Sequence, residues 1–180
     1  MKLMQTQTIL CRTNYLEESG TDALARALGE RLPVPFVTLC VGSDKIIEDS
    51  LGPLTGLFLG GMQPSLPVVG SLEQPVHKEN VAFYMDLIRQ RYPNHLLLTV
   101  DAAQGEEGRL GELLLLDGGI VPGGASAPGR TAGDFSLLGV TDFPSAKKSW
   151  LNRVRLNQVF CMAQVIALAV RRCMDGFVTL

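Results

Sequence analysis

Two apolar stretches without alternating polar residues constrain the fold of this chain more than any other feature. Phe36–Val41 and Leu96–Val100 both have the pattern of strands that are covered on both faces, as in a parallel sheet. Apolar residues recur at helical spacing over 77–92, between the two stretches, and parallel strands need such a crossover. We therefore predict an α/β fold, a three-layer α/β/α sandwich with a mostly parallel sheet in which these strands are near-neighbours.

The same patterns predict the remaining elements. Helices are expected over 21–32, 50–60 and 149–174, and shorter strands over 64–70, 110–116 and 137–140. Residues 1–19 show weak periodicity and predict a flexible lead-in, so that 20–180 form a single domain. The segment 122–133 is rich in Gly, Ala and Pro and is predicted to be a mobile loop, either a lid over a cleft or a surface excursion.

The composition narrows the functional class. The formal net charge is −2 and charged residues make up 19% of the chain, so the sequence predicts no nucleic-acid partner. A signal-peptide pattern and an apolar run long enough to cross a membrane are both missing, which predicts a cytoplasmic protein without a membrane partner. The four cysteines lack CxxC spacing, which makes structural disulfides or a zinc knuckle unexpected.

An acidic loop follows the first strand. Asp44, Glu48 and Asp49 lie in it, and Ser50 or Asp49 then offers an N-cap for the next helix. Asp101 closes the strand that starts at Leu96. Since ligands of open α/β sheets bind outside the carboxyl ends of the strands, Asp101 and a loop carboxylate are expected to face one cleft.

Two carboxylates in one cleft allow three interpretations of their role. One can act as a general base toward water while the other, its pKa raised, holds a proton. The pair can instead ligate a divalent metal. In the third reading Asp49 only caps a helix and Asp101 only caps a turn.

Other residues near the predicted cleft have plainer roles. Gly42 and Gly105 are expected to allow backbone conformations beside the cleft that residues with side chains disfavour. His77 lies at a predicted helix start, as a turn residue or alternatively as a ligand or base. Cys40 lies inside a strand and is a weak nucleophile candidate. The sequence contains no GxSxG, GxxxxGK[ST] or HExxH motif, which disfavours those chemistries.

Six ordered blocks of this sequence resemble the YyaC-type sporulation proteins over residues 20–172. The blocks are Val41–Asp44 with Asp49–Leu54, Gly70–Leu72 with Pro75–His77 and Asn80, Val100–Ala102, Pro122–Ala125, Gly133–Asp134, and Arg155–Asn157. That family looks like a relative of the germination protease of spore formers and, more distantly, of the hydrogenase maturation endopeptidases. The resemblance implies a phosphorylase/hydrolase-like α/β/α fold and a spore-associated peptidase of the sporulating cell.

The resemblance also implies which residues act. The proposed catalytic acids of the germination protease precede a Leu-Gly-Pro and begin an Asp-Ala, and here Asp49 and Asp101 match them. The nickel-binding endopeptidases use a further histidine along the chain, but no histidine follows His95, which argues against nickel-dependent action. No cofactor is expected, and a divalent metal on the two carboxylates would lack a third ligand.

The leading hypothesis is therefore an aspartic-type peptidase acting on a peptide or protein substrate. Backbone N–H groups at the Ser50 helix start are expected to stabilise the oxyanion, and Gly42, Ser43, Asp44 and His77 to line or support the cleft. The alternative is a non-catalytic regulatory or binding protein that keeps the cleft as a recognition groove.

Overall fold

A computed structural model describes residues 7–32, 35–62, 65–122, 131–144 and 154–178. The strands are β1 (Ile9–Asn14), β2 (Phe36–Cys40), β3 (Val68–Val69), β4 (Leu96–Gln104), β5 (Glu112–Asp117) and β6 (Phe135–Asp142). The helices are α1 (Gly20–Arg31), α2 (Leu51–Met62), α3 (Val81–Arg91) and α4 (Leu156–Val178). Short 3₁₀ turns occur at Ile47–Asp49 and Glu107–Arg109.

The strands form one mostly parallel sheet, as predicted. Its order is β1-β5-β6-β4-β2-β3, and β3, β2, β4 and β6 are mutually parallel. Only β5 runs against its two neighbours. The strands that start at Phe36 and Leu96 are direct parallel neighbours, with Cys40 opposite Val100. The predicted βαβ crossover between them is therefore confirmed.

Helices cover both faces of the sheet, which confirms the three-layer α/β/α architecture. On one face, alternate β4 residues such as Leu98 and Val100 share a core with Met162 and Ile166 of α4. Helices α1 and α2 pack against α4 on this same side. On the other face, the apolar residues of α3 pack on β2; they are Val81, Met85 and Ile88, against Val37 and Leu39. The strands are covered on both sides, which is why they lack polar alternation.

The predicted flexible lead-in over 1–19 is wrong for residues 9–14, which form β1. This strand pairs antiparallel with β5, where Arg12 lies opposite Leu114. Its own residues are mostly half-buried or exposed, so its periodicity is weak, and a long-range pairing rather than a local pattern creates the strand. Residues 1–6 lie outside the described residues.

Helix α4 begins at Leu156, later than the predicted start at 149. Val154 and Arg155 are described and not helical, while 145–153 lie outside the described residues. The side chain of Gln158 accepts the backbone N–H of Arg155 at 2.9 Å, which is half of a capping box. This cap places the helix start after Arg155, although the apolar pattern extends further back.

The predicted loop over 122–133 is described only at its ends. Residues 123–130 lie outside the described residues, so the lid hypothesis stays a prediction. Ala132 is fully buried and exchanges two backbone hydrogen bonds with Ile120, of 2.9 and 2.7 Å. The C-terminal end of the segment is thus packed rather than loose, and Ala132 shares an apolar cluster with Val37 and Leu39 of β2.

Candidate active site

Asp101 lies inside β4, which corrects the prediction from the sequence that this residue closes the strand. β2 ends at Cys40, opposite Val100, but β4 continues to Gln104 because β6 pairs with it on the other side. Asp101 is thus the first β4 residue beyond the end of β2, and it lies opposite Leu138 of β6. Its side chain is 4% exposed. The acid therefore stands at the expected edge, on a rigid strand rather than on a turn.

Asp49 reaches the same edge through a short 3₁₀ turn. Among the hydrogen bonds that hold this turn, Asp49 N–H donates to the Ile46 carbonyl at 3.0 Å, Ser43 N–H to the Asp49 carbonyl at 3.0 Å, and the Thr141 hydroxyl to the Glu48 carbonyl at 2.6 Å. The last bond comes from β6, on the far side of β4. The acidic loop is consequently tied to two strands of the sheet.

Two glycines let this loop approach the end of β2. Gly42 has φ +146°, and a Cβ atom there would overlap the Asp49 carbonyl oxygen. A Cβ atom at Gly52 would overlap the Val41 carbonyl oxygen in the same way. The close approach brings Asp49 over the sheet edge, and it requires residues without side chains.

Ser50 lies directly before α2, as predicted, and its polar groups are already hydrogen-bonded. Its carbonyl accepts the Leu54 N–H at 3.0 Å, as expected of the residue before α2, but its hydroxyl donates to the Ile47 carbonyl at 2.8 Å. Its N–H donates to the same carbonyl at 3.2 Å. The Ser50 N–H is thus already bonded and is not a free oxyanion donor, while both bonds from Ser50 to Ile47 support the turn.

A cleft of about 720 Å³ opens at this edge. The residues lining it come from the end of β2, the acidic loop, the segment before α3, and β4: Val41, Gly42, Ser43, Asp44, Lys45, Ile46, Asp49, Leu72, Glu73, Pro75, His77, Lys78, Glu79, Asp101 and Ala102. The structure therefore brings Asp49, Asp101 and His77 into one cleft. Of the predicted supporting residues, Gly42, Ser43 and Asp44 also line it, whereas Ser50 is not among its lining residues.

Burial and mutual repulsion set the protonation of the two acids. Burial, and next the charge of Asp49, raise the pKa of Asp101 to about 7, although the Ala102 N–H bonds its Oδ1 at 2.8 Å. Burial also raises the pKa of Asp49, against the opposing effects of a backbone hydrogen bond from Ser43 and of the nearby His77. Asp101 is thus poised to hold a proton near neutral pH.

His77 is held in place by its neighbours. The backbone N–H of His77 donates to Asn80 Oδ1 at 2.8 Å, and Asn80 Nδ2 donates to the Pro75 carbonyl at 3.1 Å. The Glu79 N–H approaches His77 Nδ1 at 3.4 Å. His77 lies just before α3, in agreement with the prediction of a turn residue, and it also lowers the pKa of Asp49 through its charge. Its part as a ligand or base stays a prediction.

Sequence reasoning missed the residues that position the site. Thr141 was not singled out because the last strand was expected to end at Val140, and the strand reaches Asp142. Asn80 entered only through the resemblance, although its spacing from His77 matches a local side-chain cap.

Two other predicted chemistries find little support. Cys40 is fully buried, and burial raises the pKa of its thiol far above the usual range, so it is a core residue. Over the described ranges, no three His, Cys, Asp or Glu side chains are grouped to hold a metal ion.

None of the helices in the described part of the chain combines the length and the apolar character needed to span a membrane.

The fold and this site define a class: α/β/α proteins with a carboxylate pair in a cleft at the carboxyl edge of a parallel sheet. A family model described as "Protein of unknown function (DUF1256)" matches residues 12–169, and the chain belongs to that family. The chain is also similar to the "Uncharacterized protein YyaC" of Bacillus subtilis (strain 168), with 32% identity over 166 residues. That alignment covers 91% of this chain and 74% of the relative. The resemblance to the YyaC-type family is thereby confirmed.

Proposed function

We propose that this protein is a peptidase in which Asp49 and Asp101 act as a catalytic pair. One observation carries the proposal: a buried carboxyl group on β4 interacts with a second carboxyl group on the loop after β2, and both line the same open cleft. Two acids with different surroundings can divide the roles of proton donor and base. The choice of a peptide bond follows from the similarity of the matching residues to those of the germination protease.

The surroundings of the two acids assign their roles. Asp101, with a pKa of about 7, holds the proton, and Asp49 is the ionised base. Asp49 removes a proton from water, the water oxygen attacks the amide carbonyl carbon, and Asp101 donates its proton to the carbonyl oxygen. The resulting neutral diol collapses when the proton on Asp49 passes to the amide nitrogen and the C–N bond breaks. Asp101 recovers its proton from the diol hydroxyl.

Protonation of the carbonyl oxygen by Asp101 also reduces the need for backbone donors that stabilise an oxyanion. A neutral diol requires less stabilisation from backbone donors than an oxyanion does, and the N–H of Ser50 is already bonded to the Ile47 carbonyl. The Asp101 proton takes over the part that was predicted for the α2 N-terminus.

The resemblance to YyaC-type sporulation proteins supports a place for this activity in the cytoplasm of a sporulating cell. The alternative from the same cleft is a binding protein that holds a peptide without cutting it. Cleavage of a bound peptide distinguishes the two.

A diverse peptide library incubated with the protein between pH 5 and 8, with cleavage read by mass spectrometry, tests the proposal. Wild-type protein is expected to cut a subset of peptides, and Asp49→Asn and Asp101→Asn are each expected to abolish cutting while remaining folded. Asp117→Asn is the matched control, because Asp117 is an exposed acid at the end of β5, at the opposite edge of the sheet. Peptides that bind the wild type and are never cut would favour the binding protein.

A further inference from the structure

One part of the cleft is apolar, and the proposed chemistry does not use it. Ile46 stands on the acidic loop with 54% of its surface exposed, and it lines the cleft. Leu72 and Pro75, from the segment between β3 and α3, line the same cleft. Covering apolar surface of this kind is worth about 25 cal/mol per Å². A ligand with a matching apolar group would gain that free energy.

Two of these three residues, Ile46 and Leu72, are held on ordered turns. Ile46 immediately precedes the 3₁₀ turn that carries Asp49, and its carbonyl accepts the Asp49 N–H at 3.0 Å. On the other segment, Ser71 closes a turn around Leu72, with its N–H donating to the Gln74 carbonyl at 3.2 Å. The Ser71 hydroxyl oxygen accepts the N–H groups of Glu73 and Gln74 at 3.2 and 3.3 Å. The apolar surface therefore keeps a fixed position relative to the Asp49 carboxyl group.

We propose that Ile46 and Leu72 form a subsite that binds an aliphatic side chain of the substrate beside the bond to be cut. This rests on the proposed function, and it names the substrate class: peptides with Leu, Ile, Val or Met next to the scissile bond. A peptide has two features that match the cleft: a polar carbonyl that interacts with the acids, and an apolar side chain one residue away that contacts the apolar lining.

The chain supplies its own control for this subsite. Ile47 follows Ile46 directly, is also aliphatic and is 44% exposed, yet it is not among the described residues that line the cleft. A substitution at either residue removes similar exposed apolar surface from the same turn. Only the change at Ile46 should alter the choice of substrate.

The test measures binding separately from cleavage. Two uncleavable peptides are prepared with a hydroxyethylene group in place of the scissile amide; one has Leu on both sides of it and the other has Ser. Their dissociation constants are measured by calorimetry for the full chain, for Ile46→Ser and for Ile47→Ser, after thermal melts show that all three fold. We expect the wild type to prefer the Leu peptide by about tenfold or more. Ile46→Ser should bring the ratio of the two constants close to one, and Ile47→Ser should keep it.

Equal affinities for the two peptides, no binding of either, or an equal loss of preference in Ile47→Ser would overturn the subsite. The proposed function fails in a different way, namely when the amide forms of the same peptides stay uncut by the wild type. A preference for the Leu peptide that depends on Ile46, without any cleavage, would therefore support the subsite and reject the peptidase.

Discussion

The hydroxyl of Thr141 donates to the carbonyl oxygen of Glu48 at 2.6 Å, so the end of β6 holds the turn that carries Asp49. Thr141 is 1% exposed and lies two strands away from β2, from which the acidic loop departs. The position of one proposed catalytic acid thus depends on a strand that appears almost a hundred residues later in the chain.

Thr141→Val should weaken the site more than the fold. The variant keeps the shape of the side chain but leaves the Glu48 carbonyl without its partner, which costs about 1–3 kcal/mol in the free energy of unfolding. We expect kcat/KM for a cleaved peptide to fall more than the loss of folded protein explains. Urea denaturation and peptidase assays on the same preparation check this. An unchanged kcat/KM would show that this bond does not position Asp49.

Thr38→Val is the matching control and should have the opposite effect on stability. Thr38 lies fully buried in β2, and its hydroxyl oxygen has no hydrogen-bond partner among the described residues. Replacing a buried, unpaired hydroxyl with a methyl group of similar volume removes a desolvation cost of about 1 kcal/mol or more. The midpoint of urea unfolding should rise, and a fall would mean that the hydroxyl has a partner in solution.

Asp101→Asn should flatten the dependence of stability on pH. Asp101 has a pKa of about 7 in the folded protein and about 3.9 in an unfolded chain. The folded state therefore binds the proton more tightly, so the stability contributed by this group is full below pH 4 and is lost as the pH rises to 7. The loss is at most about 4 kcal/mol, at about 1.4 kcal/mol per pKa unit.

Urea unfolding at pH 5 and pH 8 measures this effect. The wild type should lose stability between the two values relative to Asp101→Asn, while Asp117→Asn should follow the wild type. If wild type and Asp101→Asn change in parallel, Asp101 does not hold a proton at pH 5.

His77→Gln should move the acid limb of the activity profile. The charge of His77 lowers the pKa of Asp49, so its removal lets that pKa rise. Since Asp49 must be ionised to act as the base, kcat/KM should begin to fall at a higher pH in the variant. The alkaline limb, which reports the proton on Asp101, should move little. A profile identical to that of the wild type would place His77 too far from Asp49 to matter.

Gly42→Ala should be strongly destabilising. It combines a backbone conformation at φ +146° with a Cβ atom that overlaps the Asp49 carbonyl, and such strain costs about 1–3 kcal/mol before the clash is added. Gly29→Ala is the control: Gly29 lies in α1 with open space around it, and the change should stabilise by about 0.5–1 kcal/mol. Thermal melts compare the two. A Gly42→Ala variant as stable as the wild type would mean that the loop can move away from β2.

The sequence predicted the parts of this fold that local patterns encode. Phe36–Cys40 and Leu96–Val100 are buried on both faces, so their composition revealed both their structure and their parallel pairing. β1 escaped prediction because its residues are only partly covered and its partner, β5, is distant in the chain.

The two acids of the candidate site were predictable from the sequence, but the contacts that position them were not. Asp101 directly follows the apolar run of β4, and Asp49 lies in the acidic loop after the apolar run of β2, so the pattern of apolar run and acid is visible in the sequence. The bonded state of the Ser50 N–H and the contact of Thr141 with Glu48 depend on the register of strands, which no local pattern contains.

The extension of β4 past the end of β2 gives the two acids unequal freedom. Asp101 belongs to a strand that remains hydrogen-bonded to β6 beyond it, so it cannot shift without disturbing the centre of the sheet. Asp49 ends a single turn outside the sheet. The pair thus has one member built into the sheet and one held from outside it, so the spacing of the two acids rests on the contacts of Gly42 and Thr141 with the loop after β2.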